Sequence, residues 1–165
     1  MSREILSPVG RYFEDLEIGD VAHTAARSIT ETDIVNFMGL SGVFEELHMS
    51  LEYIKTKSVF GRRVSPGPLT FIISEGLAVQ SGLIHHTGMA LLGINNMVYR
   101  APVFCNDTID VEIEVTGKRE TSKPDRGIVT FRHTVRNQDK AVVLEMDKTR
   151  MIRRRPVADK AAKAS

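Results

Sequence analysis

Apolar and polar residues alternate with period two along much of the second half of the chain. Ile109, Val111, Ile113 and Val115 alternate with Asp110, Glu112 and Glu114. Val129, Phe131, His133 and Val135 form a second set. Val142, Leu144 and Met146 alternate with Val143, Glu145 and Asp147 in a third, which continues to Ile152. Successive side chains of a strand point to opposite faces, so each set predicts a strand with one buried face. Residues 90–101 are long and apolar enough for a central strand. Asn106-Asp107 and Asn137-Gln138-Asp139-Lys140 supply turns between them.

The first half carries a different period. Residues 68–84, PLTFIISEGLAVQSGLI, predict a long helix, and Pro68 suits its first position because the missing N–H costs little there. Leu69, Ile72, Ile73, Leu77, Val79 and Leu83 spread around most of its circumference. A helix that is apolar nearly all round is normally buried. Gly76 and Gly82 weaken it locally but allow close approach of other backbone. Glu75 is out of keeping with the helix; it either faces a subunit interface or accepts a structural hydrogen bond. Upstream, Thr30 and Asp33 have the spacing of a capping box before a short helix containing Ile34, Val35, Phe37 and Met38. Ser50 can cap a second short helix ending near Lys57. Residues 21–29 read as a strand. One buried helix followed by several long antiparallel strands makes an α+β layered domain.

Bulk properties narrow the function classes. A chain of 165 residues, 42% hydrophobic, is expected to form one folded domain. A net charge of +1 gives no strong field to attract nucleic acid. No apolar run approaches membrane-spanning length, and the start of the chain, MSREILSPVG, lacks the apolar core of a secretory signal. Cys105 is the single cysteine, so no intrachain disulfide forms. These features lead us to expect a cytoplasmic protein with no nucleic-acid and no membrane partner.

The candidate chemistry lies in residues 38–68, MGLSGVFEELHMSLEYIKTKSVFGRRVSPGP. His48 follows a Gly-containing turn and two carboxylates, Glu45 and Glu46. Pro66-Gly67-Pro68 directly precede the apolar helix. A histidine moves protons near neutral pH, and a glycine opening a buried helix can aim its N–H at a developing oxyanion. Together they point to addition or elimination beside a carbonyl, such as that of a thioester.

This stretch resembles the MaoC-like dehydratase family, which includes the R-specific enoyl-CoA hydratases. The family pattern runs S-G-D-x-N-P-[IL]-H and then F-G-x-x-[IV]-x-[HP]-G. Ser41-Gly42, Leu47-His48, Phe60-Gly61, Val64 and Pro66-Gly67 match it. Val43 stands where the family has its catalytic aspartate, and Glu45-Glu46 replace Asn-Pro. The resemblance extends to Phe13-Glu14-Asp15-Leu16 with Gly19-Asp20, and to Pro102-Val103 with Asp107-Thr108-Ile109. Asn106 replaces a glycine there, a tolerable change because Asn enters left-handed conformations readily. The likeness covers residues 11–153, leaving residues 1–10 as an N-terminal arm and 154–165 as a flexible C-terminal tail.

The resemblance implies a hotdog fold: a curved antiparallel sheet wrapping a long central helix. It also implies an acyl-CoA dehydratase or enoyl-CoA hydratase acting on an acyl thioester, no cofactor, and a homodimer or higher homo-oligomer. By direct match His48 is the catalytic histidine and Gly67 the oxyanion donor. Glu45 is the candidate to replace the missing aspartate. In an extended segment it shares a face with Val43; in a helix it lies one turn from His48. Val43 either packs in the core or lines the pocket. Arg62 and Arg63 either meet CoA phosphates or are solvated.

No metal site is expected. His85-His86 read as a polar pair at a helix end with side chains pointing apart, and His23 and His133 sit in no motif. Arg153-Arg154-Arg155 read as a charged chain end. Two other functions fit the same fold: a non-catalytic acyl-CoA-binding protein, favoured by Val43, and an acyl-CoA thioesterase.

Overall fold

A computed structural model describes residues 9–156. A 3-10 turn at Phe13–Asp15 leads to two short strands, β1 (Val21–His23) and β2 (Arg27–Ser28). Three short helices follow: α1 (Glu31–Ser41), α2 (Glu46–Met49) and α3 (Leu51–Thr56). The long helix α4 (Gly67–Gln80) comes next, and then four long strands: β3 (Gly88–Tyr99), β4 (Thr108–Glu120), β5 (Arg126–Asn137) and β6 (Val142–Arg153). All strands pair antiparallel in the order β1-β4-β5-β6-β3, with β2 also on β4. Helix α4 packs against this sheet in the hotdog arrangement that the resemblance implies.

The period-two pattern places the core. Ile109, Val111, Ile113 and Val115 of β4 are buried, as are Val129, Phe131 and Val135 of β5 and Leu144 and Met146 of β6. They close on Leu69, Ile73, Leu77 and Ala78 of α4. The other side of α4 is not covered: Ile72 is 51% exposed and Val79 54%. The expectation of burial all round therefore fails, because one sheet can cover only one side of a helix. The helix also stops at Gln80, short of the expected residue 84.

The strand expected over residues 21–29 is interrupted. Val21–His23 pair with residues 112–114 of β4, while Arg27 and Ser28 pair with Ile109 and Thr108. Between them the Thr24 hydroxyl accepts the Val111 N–H at 3.0 Å, substituting a side chain for a ladder partner. The expected helix caps are present. Thr30 Oγ1 accepts the Asp33 N–H, and the Asp33 carboxylate accepts the Thr30 N–H. Ser50 Oγ accepts the Tyr53 N–H. Asn106 is left-handed, with φ 72°.

The described end of the N-terminal arm is held down: the Gly10 and Arg11 N–H groups donate to the His85 and Leu83 carbonyls at 2.7 and 2.8 Å. Arg154 and Arg155, placed in the tail by the sequence, pair instead with Glu14 and Asp15. The rest of the arm, residues 1–8, and of the tail, residues 157–165, lies outside the described residues. Among the described residues no helix is long and apolar enough to cross a membrane.

Candidate active site

Helix α1 ends at Gly42, whose left-handed φ of 73° lets its N–H turn back to the Met38 carbonyl. Glu45 is extended and acts as the N-cap of α2 through its backbone: its carbonyl accepts the N–H groups of His48 and Met49 at 2.9 and 3.1 Å. This short turn carries the His48 side chain inward, to 9% exposure. Its Nδ1 lies 2.8 Å from the Val64 carbonyl oxygen. A carbonyl can only accept, so Nδ1 is the donor and Nε2 is the nitrogen left to exchange a proton with a substrate. The acceptor is itself fixed. Val64 bridges Phe104, the Ser65 N–H donates to the Val103 carbonyl at 2.7 Å, and the Cys105 N–H donates to the Arg63 carbonyl at 2.9 Å.

Three residues beyond Val64 the chain enters α4. The Pro66 carbonyl accepts the Leu69 and Thr70 N–H groups. Gly67 is the first helical residue, where an N–H has no acceptor within the helix. A Cβ built at Gly67 would lie 3.0 Å from Cζ of Tyr99, so a side chain there would crowd a ring that glycine lets approach.

The other sequence candidates are spread around this centre. Val43 is partly buried beyond the α1 cap, and Glu45 and Glu46 are exposed. Neither geometry considered for Glu45 brings it to the imidazole: its side chain makes no capping bond, and among the described residues no ion pair joins it to His48. Arg62 stacks on Phe104, 4.3 Å from the ring centre, with its side chain 59% exposed. Arg63 is turned inward and donates to Glu31 at 2.6 Å.

A second polar cluster was not legible in the sequence. Lys148, wholly buried on β6, donates to Glu75 of α4 at 2.5 Å, and Arg150 donates to the other oxygen of the same carboxylate. Glu75 thus takes the structural-acceptor role of the two expected for it. Burial pushes its carboxyl up, but the bonds and charges of Lys148 and Arg150 outweigh that and hold it below its ordinary value. Burial likewise pulls the Lys148 ammonium down, against the pull of Glu75. His133 lies beside them, 2% exposed, with its Nδ1 unpartnered. Burial first, and then Lys148, lower its pKa to about 3. The signal available in the sequence was position alone, because His133 and Lys148 both continue inward-facing registers.

Among the described residues no three potential metal ligands cluster. His85 and His86 do not point apart as expected: their ring centres lie 4.0 Å apart because His86 adopts a left-handed φ of 61°.

The family described as MaoC like domain matches residues 15–137. The chain belongs to the MaoC-like family. It is 34% identical over 143 residues to an (R)-specific enoyl-CoA hydratase from Rhodospirillum rubrum, covering 86% of this chain and 91% of that one. It is 36% identical over 126 residues to Protein MaoC of Klebsiella aerogenes, covering 76% of this chain but only 36% of that larger protein. A solved structure of a monoamine oxidase regulatory protein from Archaeoglobus superposes with a TM-score of 0.83 at 33% identity, covering 92% of this chain and all of that one. The family match, residues 15–137, spans both His48 and Gly67.

Proposed function

We propose that this MaoC-like protein is an acyl-CoA hydratase/dehydratase, adding water across the double bond of a 2-enoyl-CoA or removing it from the 3-hydroxyacyl-CoA. The observation that carries the reading is the His48 ring: buried, with Nδ1 held by the Val64 carbonyl and Nε2 left for the substrate. The names of relatives support the substrate class, among them the R. rubrum hydratase and a 3-hydroxybutyryl-CoA dehydratase from Methylorubrum extorquens.

In the forward direction water attacks C3 of the enoyl thioester while His48 Nε2 takes its proton. The π electrons move through C2 onto the thioester oxygen, where the Gly67 N–H receives the charge. The enolate then recovers the proton from His48 at C2. One group takes and returns the proton, so the hydroxyl ends on C3, the hydrogen on C2, and the enzyme is unchanged. No electron is transferred, so the chemistry calls for no redox cofactor. Val43, in place of the family's acid, leaves His48 without a carboxylate partner. Arg62 pairs with Asp107 at 3.6 Å but stays 59% exposed, so its guanidinium is better placed to meet CoA phosphates than that of Arg63, which is turned inward on Glu31.

The functional unit is the domain of residues 11–153, acting as a homodimer. Strand β3 ends the sheet, and Leu91, Leu92, Met97 and Val98 on it are each more than a third exposed. An unpaired apolar edge is a liability that a second copy removes. A cytoplasmic location suits the free thiol of Cys105.

Val43 favours a second reading, an acyl-CoA-binding protein without turnover. Incubation with crotonyl-CoA and separation of products decides. 3-Hydroxybutyryl-CoA, reduced about 10²- to 10⁴-fold by His48→Ala, establishes the hydratase. Unchanged ligand that raises the melting temperature establishes the binder. Free CoA establishes a thioesterase in place of both.

A further inference from the structure

Tyr99 reaches the N-terminus of α4 because of an irregularity in β3. Asn95 of β3 lies opposite Asp147 of β6, and Val98 lies opposite Glu145. Three steps along β3 therefore match two along β6, so β3 holds one extra residue between these pairs, the third such shift along the strand. Such a bulge inverts the facing of everything beyond it. Asn96 sits at the bulge with a left-handed φ of 51°, and its Nδ2 donates to Asp147 at 2.7 Å. After the bulge Tyr99 lies opposite Leu144, which is wholly buried, and directly opposed residues share a face. Without the extra residue Val98 would hold that place and Tyr99 would point away from the helix.

The consequence is a phenol laid against Gly67. Its Cζ, the atom that carries the hydroxyl, is the nearest atom to a Cβ built on that glycine, at 3.0 Å. The ring is neither enclosed nor free, at 46% exposure. Burial raises its pKa and no hydrogen bond contributes to the shift, so the group is a protonated donor at neutral pH.

We propose that the Tyr99 hydroxyl is a further catalytic donor of the site, hydrogen-bonding the thioester oxygen of the bound acyl-CoA alongside the Gly67 N–H. The proton stays on the tyrosine throughout; the hydroxyl stabilises the enolate charge and transfers nothing. This role rests on the acyl-thioester reading above. Two preorganised donors on one oxygen stabilise a developing oxyanion more than one, and removing one such donor typically costs about 10²- to 10³-fold in kcat.

The test uses Tyr99→Phe, which keeps the ring on Gly67 and removes only the hydroxyl. Butyryl-CoA labelled with 13C at the thioester carbonyl, which cannot be hydrated, is bound to wild type and variant and its carbonyl stretch read by isotope-edited infrared spectroscopy. The expected result is a lower frequency on wild type than on Tyr99→Phe, because the lost hydrogen bond no longer weakens the C=O bond. If wild type hydrates crotonyl-CoA, kcat of the variant falls about 10²-fold with KM little changed. Identical carbonyl frequencies, or an unchanged kcat in a hydrating protein, overturn the role of Tyr99 and leave the pocket intact. Failure of wild type to bind butyryl-CoA overturns the acyl-thioester reading and this proposal together.

Discussion

The ammonium of Lys148 has no exposed surface, and the carboxylate of Glu75 meets it from α4 at 2.5 Å. The pair ties the long helix to the middle of the sheet. Desolvating two charges offsets much of their attraction, so the pair contributes little beyond an apolar equivalent; breaking it is costly because one charge is left buried alone. Glu75→Gln keeps the volume and removes the charge, leaving Lys148 beside Arg150. We expect a loss of about 3 kcal/mol, read by urea denaturation at pH 7. A change under about 1 kcal/mol would show that the cluster is solvated.

His133 makes stability depend on pH. Its folded pKa, about 3, lies below the ordinary 6.5. The folded protein therefore binds fewer protons than the unfolded chain in that window. Stability from this group is full above the unfolded pKa and falls as pH drops towards the folded one. From pH 7 to pH 5 the loss is about 2 kcal/mol. In His133→Phe the same pH step should cost about 2 kcal/mol less, measured by denaturant midpoints at the two pH values.

Val43→Asp places a carboxylate one residue beyond the α1 cap, at a partly buried position where water still reaches it. In the family's pattern an aspartate at this position accompanies the histidine. Hydration of crotonyl-CoA should rise about 10²-fold in kcat, the usual worth of a positioned acid–base group. A folded variant that binds acyl-CoA with no gain would count for the binding reading.

Glu45→Gln should leave the rate within about twofold of wild type, because the carboxylate is exposed and unbonded to His48. A fall as large as that of His48→Ala would mean that Glu45 moves onto the imidazole when substrate binds.

The free edge of β3 predicts the assembly. Wild type should sediment as a dimer at micromolar concentration, and Leu92→Lys with Val98→Lys should shift it to monomer, since charges on an edge strand oppose pairing. A monomeric wild type would remove the dimer from the proposal.

Much of the fold was legible because it is written in neighbouring residues. The alternation through Ile109–Val115 and Val129–Val135 marked strands and their buried faces, and Thr30, Ser50 and Asn106 signalled caps and a turn through their own chemistry. Local reasoning failed where the partner was remote. The break at Thr24 depends on Val111, and the exposure of Ile72 and Val79 depends on how much of α4 a single sheet can reach. Spacing alone offers Glu45 as a partner for His48, but the backbone turn that uses its carbonyl leaves its side chain exposed.

The sequence by itself determined the strand faces, the long helix, and the presence of His48 and Gly67 at motif spacing. These follow from the two and 3.6 residue periods and from residue chemistry, which act over a few positions. Only the tertiary structure decided how those groups can act. His48 has its tautomer from a carbonyl 16 residues away. Lys148 has its counter-charge from Glu75, 73 residues away. Tyr99 meets Gly67 because the extra residue between Asn95 and Val98 turned it towards the helix. Each depends on register between segments distant in the chain, and register is settled when the whole sheet and helix pack.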